Sequence, residues 1–169
     1  ATSLFCCKFG DSMKITLLTI GKSTFPFVRE GLAMYEKRIA RYTTYQRIEI
    51  PALSGTSSLS PNEVKEKEGD LILKKIKPTD ELILLDEKGE SFTSVEWAQF
   101  LGKRLNNSTK SIVFVIGGAY GFSQKVYQAA SSKLSLSEMT FSHQIIRLFF
   151  TEQLYRAFTI IKGEPYHNE

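Results

Sequence analysis

Short apolar runs alternate with amphipathic stretches along most of the chain. The runs Lys14 to Ile20, Tyr45 to Ile50, Glu81 to Leu85 and Ser111 to Ile116 read as strands. Between the first two, Val28, Leu32, Tyr35 and Ile39 recur at helical spacing behind Pro26, a residue suited to a first turn. The stretch 60–76 opens with Ser60, Pro61 and Glu63, a capping-box start, and its Lys and Glu residues read as a solvated face. "DEKGE", residues 86–90, reads as a polar turn. After it, "SVEWAQFLGKRL" predicts a helix packing through Val95, Ala98, Phe100 and Leu101, with Trp97 in the core or partly buried. A fourth helix is expected from Ser123 to Ser132 and a fifth, the longest, from Ser142 to Lys162. Between them Leu134 and Leu136 alternate like a strand until "SEMTF" breaks the pattern, which predicts an ordered loop. Residues 51–60, "PALSGTSSLS", read as the most flexible loop. The whole pattern predicts an α/β fold, a mostly parallel sheet with flanking helices.

The last helix is apolar almost all round, through Ile145, Ile146, Leu148, Phe149, Phe150, Leu154, Phe158 and Ile161. A helix without a fully polar face is usually buried on two sides, and in so small a domain the second side points to another subunit. Arg147 and Arg156 interrupt it, and Glu152 can pair with Arg156 at i,i+4. Gly163 ends the helix and Pro165 prevents its continuation, so the tail is expected to project as a short extended segment.

With 169 residues and 42% hydrophobic content, one well-buried domain suffices. Residues 1–12 have no clear period, so the domain is expected over 13–169 and the prefix as a cloning remnant or disordered segment. Both cysteines, Cys6 and Cys7, fall in that prefix, which argues against disulfide, thiol and zinc-thiolate chemistry. Two histidines, His143 and His167, and no HExxH pattern predict no metal. No apolar run is long enough for a membrane span, so a cytoplasmic protein is expected. A net charge of +4 permits an acidic partner such as RNA without requiring one.

The candidate chemistry lies at "FVIGGAYGFSQ", where a buried strand meets Gly117, Gly118 and Gly121. Ligands of α/β proteins bind at the carboxyl ends of strands. The spacing is not GxGxxG, and "TIGKST" lacks the first glycine of a P-loop, so neither nucleotide fingerprint applies. Gly117 and Gly118 would let a ligand approach the main chain, and Gly121 would allow a left-handed turn; a plain strand-to-helix turn is the alternative. The hydroxyls of Ser137 and Thr140, with the backbone of their loop, suit the edge of an adenine.

"MKITLLTIGK", "VKEKEG", "IGGAYG", "LSEMTFSHQIIR", "EQLYRAF" and "EPYH" together resemble the ribosomal RNA large subunit methyltransferase H group of the SPOUT methyltransferases, across residues 13–169. The resemblance implies a trefoil-knotted homodimer that takes S-adenosyl-L-methionine as methyl donor. It implies as acceptor N3 of a pseudouridine in large-subunit (23S) ribosomal RNA, in the assembled ribosome. Carried over residue by residue, the donor site falls on Leu85, Gly117, Leu136, Ser137, Glu138, Met139, Thr140 and Phe141. The acceptor pocket falls on His143, Arg147, Tyr155, Arg156, Tyr166 and His167. There the arginines would meet phosphates or base carbonyls, and Tyr166 and His167 would orient the base, with His167 one candidate proton acceptor. Ser142 stands where members of the group often have proline. Rival readings are a non-catalytic RNA-binding module and a flavodoxin-like nucleotide-binding enzyme.

Overall fold

β1 (Lys14–Ile20) is paired along both edges, in parallel with β2 (Thr44–Ile50) on one side and β4 (Ser111–Ile116) on the other. Helices cover both faces of such a strand, which is why β1 is apolar without a strict alternation. Ile15, Leu17 and Leu18 are fully buried. β3 (Glu81–Ser91) lies on the far edge of β4 and β5 (Ser132–Ser135) beyond it, so the sheet has five parallel strands in the order β2-β1-β4-β3-β5. The computed structural model describes residues 13–107 and 109–168. The prefix 1–12, with Cys6 and Cys7, lies outside the described residues.

α1 (Pro26–Ile39), α3 (Ser94–Asn106) and α5 (Ile145–Lys162) pack on one face of the sheet. There Ile15, Leu17 and Phe114 meet Trp97, Phe150 and Phe158. α2 (Pro61–Leu73) and α4 (Gln124–Ala129) cover the other face, where Leu18, Leu84 and Val115 meet Ile72 and Val126. The capping box of α2 forms as expected: Glu63 N–H donates to Ser60 Oγ at 3.2 Å and Ser60 N–H to the Glu63 carboxylate at 2.8 Å. Thr93 and Glu96 start α3 by the same exchange. Trp97 is buried and donates its indole N–H to the carbonyl of Gln153 at 3.2 Å.

Several local expectations are corrected. "DEKGE" does not end β3, which runs on to Ser91, but Leu85 and Glu90 both pair with Leu134, so residues 86–89 loop out as a bulge in which Lys88 N–H donates to Asp86 at 2.8 Å; the expected polar turn lies inside the strand. Gly89 makes this bulge feasible, because a Cβ there would lie 2.5 Å from the Leu134 carbonyl carbon. Helix α4 stops at Ala129, and Ser132 already belongs to β5, because three residues after the helix the chain enters the sheet beside Ile83. α5 starts at Ile145 rather than Ser142. The charged stretch of α2 is not uniformly solvated, since Glu68 is only 7% exposed. Finally, much of the all-round burial of α5 is intrachain: α1 and α3 flank it, and Phe150, Leu154 and Phe158 are buried.

Candidate active site

The carboxyl ends of β3 and β4 and the segment after β5 enclose a cavity of about 640 Å³. Parallel pairing brings Leu85 beside Ile116 on one edge of β3 and Leu134 on the other, so three strand ends meet at its base. Leu85, Gly117, Leu136, Ser137, Met139, Thr140 and Phe141 all line it; Glu138 is exposed and does not. The loop after β5 is ordered by its own hydroxyls. Ser135 Oγ donates to the Ser137 carbonyl at 2.9 Å, and Met139 N–H donates to Ser137 Oγ at 3.0 Å.

Gly117 and Gly118 line the cavity through their backbone, and each lacks room for a side chain. A Cβ on Gly117 would lie 3.0 Å from the Phe122 ring, and one on Gly118 2.5 Å from Glu68 Oε2. At Gly118 the clearance is needed behind the wall, against Glu68; at Gly117 it is needed against Phe122, itself part of the lining. Gly121 does adopt the left-handed conformation, with φ 78°, and its N–H donates back to the Gly118 carbonyl at 3.2 Å. Burial raises the carboxyl pKa of Glu68, and its Oε2 is buried without a hydrogen-bond partner among the described residues.

Asp86 and Glu87 add negative charge to the wall, partly offset by Lys88. Asp86 accepts the phenol proton of Tyr127, whose pKa is pushed up to about 12 by burial and by that carboxylate. Sequence reasoning misses Asp86 and Glu87 because a polar turn gives no sign of the cavity beside it, and Tyr127 because it reads only as a residue of α4. His143 also lines the cavity, and burial together with the charge of Arg147 holds its pKa below the ordinary value, so it is neutral at pH 7.

The expected acceptor residues do not all converge. Arg147 is fully buried and spends its guanidinium on the chain itself, donating to the carbonyls of Ile20 at 2.7 Å, Gly21 at 2.9 Å and His143 at 2.9 Å, and to Ser23 Oγ at 3.1 Å. It ties α5 to the end of β1 and presents no donor at the surface for a phosphate or base.

Tyr155, Arg156, Tyr166 and His167 do come together, around Glu152. Arg156 donates to Glu152 at 2.6 and 3.1 Å, as the i,i+4 spacing suggests, and from Nη1 to His167 Nδ1 at 3.2 Å. Tyr166 OH donates to Glu152 at 3.1 Å and meets Tyr35 OH at 3.3 Å, while its ring packs edge-on against Tyr155. Burial and these partners raise the Tyr166 pKa, so the phenol stays protonated. The tail does not project as an extended segment. Instead Gly163, with φ 66°, turns it back onto α5, and Glu164 N–H donates to the Thr159 carbonyl at 2.9 Å. Ile146 lines the cavity and Arg156 the tail cluster, so about 15 Å of helix, at 1.5 Å per residue, separates the two within one chain.

Against this geometry, a family model described as "Predicted SPOUT methyltransferase" matches residues 13–167. The chain belongs to the SPOUT methyltransferase family. This SPOUT methyltransferase is 50% identical to a Parabacteroides distasonis protein named ribosomal RNA large subunit methyltransferase H, over 93% of the chain and 100% of the relative. Proteins of the same name from Cytophaga hutchinsonii and Flavobacterium johnsoniae are each 49% identical, over 92% and 93% of the chain and all of each relative. Among the described residues of this SPOUT methyltransferase, no helix is long and apolar enough to cross a membrane.

Proposed function

We propose that the chain transfers the methyl group of S-adenosylmethionine to N3 of a pseudouridine in large-subunit ribosomal RNA of the assembled ribosome, as a trefoil-knotted cytoplasmic homodimer. The names of its full-length relatives support the RNA substrate class. The observation that carries the reading is the cavity at the strand ends. Its volume of about 640 Å³, apolar Leu85 and Leu136, accessible backbone at Gly117 and around Ser137, and carboxylates Asp86 and Glu87 fit a nucleoside with a short cationic chain. Leu85, Gly117 and the segment Leu136 to Phe141 would hold that donor, with Glu138 contributing backbone only. When bound, the donor supplies a methyl on a sulfonium sulfur, already a good leaving group.

The residues then have to orient the base and take its N3 proton. An arginine only donates, so the Arg156 contact makes Nδ1 of His167 an acceptor and puts the proton of the neutral ring on Nε2. His167 in this arrangement presents a donor to a base carbonyl. The proton acceptor is then His143, held neutral beside the cavity.

The separation of tail and cavity along α5 supports a site shared between two copies, in which the tail of one protomer closes the cavity of its partner. Phe141 and Phe149, packed edge-on at 5.2 Å, and Phe25 and Phe27, stacked at 5.5 Å, are exposed apolar pairs suited to that contact. Mixing two inactive variants tests the arrangement: His167→Ala, and Thr140→Trp to fill the cavity. One protomer of each gives one site with both lesions and one with neither, so equal mixing should recover about a quarter of the wild-type methylation of ribosomes, read by mass spectrometry of the RNA. No recovery despite verified subunit exchange would return the tail to its own protomer's cavity.

A further inference from the structure

The opposite end of the sheet is also open. On the face covered by α2 and α4, a cleft of about 200 Å³ lies over the amino-terminal halves of β2, β1 and β4. α2 stops at Leu73, and the chain continuing toward β3 forms one wall. The floor is mixed: Thr16, Gln46 and Ser111 line it beside Leu18, Ile48 and Val113, and Gln46 Nε2 donates to Thr16 Oγ1 at 3.0 Å. Four lysines from three parts of the chain stand around it, Lys14 opening β1, Lys75 and Lys77 after α2, and Lys110 before β4.

Among the described residues none of the four is ion-paired, a state they share with most lysines of the surface; what sets them apart is that they gather around one cleft. The one carboxylate lining the cleft, Asp80, accepts the backbone N–H of Lys77 at 2.8 Å. Like charges gathered around one cleft repel each other unless an anion joins them. Helix-end electrostatics account for Lys75 and Lys77 but not for Lys14 and Lys110, which lie at the starts of strands.

We infer that this cleft takes phosphates of the ribosomal RNA backbone, a second attachment point remote from the nucleotide that is methylated. The inference rests on the RNA substrate proposed above. At about 3.3 Å per strand residue, the six steps from Lys110 to Ile116 set the lysines at the mouth of the cleft roughly 20 Å from the donor cavity. Phosphates held here belong to other nucleotides, and lysines read their charge without reading a base, so the cleft orients the RNA rather than selecting its sequence.

The test compares the wild type with the Lys75→Gln, Lys77→Gln, Lys110→Gln triple variant. Retention of labelled large ribosomal subunits on filters is measured at increasing potassium chloride. The variant should bind about fivefold or more weakly at low salt, and its log Kd should depend less steeply on log salt, by roughly 0.7–0.9 for each phosphate that the lysines no longer neutralise. Melting temperature and calorimetric affinity for S-adenosylmethionine should not move, and the corresponding triple Lys→Arg variant should restore ribosome binding. Unchanged affinity and slope would overturn the inference. So would loss of saturable binding of inorganic phosphate or adenosine monophosphate with ribosome binding untouched, because the cleft would then serve a small anion. If the binding shift occurs but the wild type transfers no methyl to ribosomes, the cleft stands and the proposed reaction fails.

Discussion

A methyl group on Gly118 would lie 2.5 Å from Oε2 of Glu68, so the buried carboxylate fills the space that any side chain at 118 would need. Helix α2 thereby supports the cavity wall from behind. Gly118→Ala should cost about 1–3 kcal/mol by overpacking. Glu68→Ala should relieve most of that cost in the double variant. Denaturant unfolding of the two single variants and the double variant checks this, and strictly additive costs would mean that the contact is not the cause.

The same carboxyl predicts a pH dependence. Burial raises its pKa above the ordinary 4.5, so between 4.5 and the folded value the native protein keeps a proton that the unfolded chain has released. Stability therefore falls as pH rises through that window and stays lower above it. Glu68→Gln removes the loss. Its melting temperature should exceed that of the wild type at pH 8 and equal it at pH 4. An equal gain at both pH values would exclude the titration as its source.

Arg147 should behave as a structural residue. Arg147→Met leaves the carbonyls of Ile20 and Gly21 without their donor inside the protein and should cost at least about 3 kcal/mol. Arg156→Lys, in the partly exposed pair with Glu152, should change stability by less than about 1 kcal/mol while reducing methyl transfer. Calorimetric melting beside methyl incorporation separates them. A stable but inactive Arg147→Met protein would return that residue to the acceptor pocket.

Neighbouring phenylalanines on α5 should separate assembly from folding. Phe149 is 45% exposed and Phe150 fully buried. Phe149→Glu should yield folded monomers, read by sedimentation, whereas Phe150→Glu buries an unpaired charge in the core and should abolish folding. A Phe149→Glu protein that remains dimeric would move the subunit contact elsewhere.

Methyl transfer should keep its rate on mild acidification. His143 must be neutral to accept the N3 proton, and its pKa lies below the ordinary 6.5 because burial and Arg147 disfavour the imidazolium. The rate should decline only as pH falls through that lowered value, so the acid limb sits below 6.5. His143→Gln should lower kcat by about 10²-fold and abolish the limb. An acid limb that survives in His143→Gln but disappears in His167→Gln would reverse the two assignments.

The α/β class, four of the strands, the α2 cap and the helical spans to within a few residues were legible in the sequence, because each depends on neighbours along the chain: periodicity, Ser60 with Glu63, Gly163 after the last helix. The cavity-lining residues were legible through whole motifs, since "IGGAYG" and "LSEMTF" are contiguous runs at the ends of strands. Asp86 and Tyr127 were not: the polar composition of "DEKGE" tells of a turn, but only the pairing of β3 with β5 sets that bulge beside a cavity, and Tyr127, on α4, meets Asp86 from 41 residues away. Which arginine faces a ligand was equally hidden. Arg147 and Arg156 share one helix, but the first meets the carbonyl ends of β1, more than a hundred residues earlier in the chain, and the second meets Glu152 one turn away. Tertiary structure also decided why the glycines are glycines, since Phe122 lies near Gly117 in sequence while Glu68, which excludes a side chain at Gly118, is fifty residues distant. Local order follows from spacing along the chain; the burial of one particular polar group depends on which distant backbone comes to lie against it.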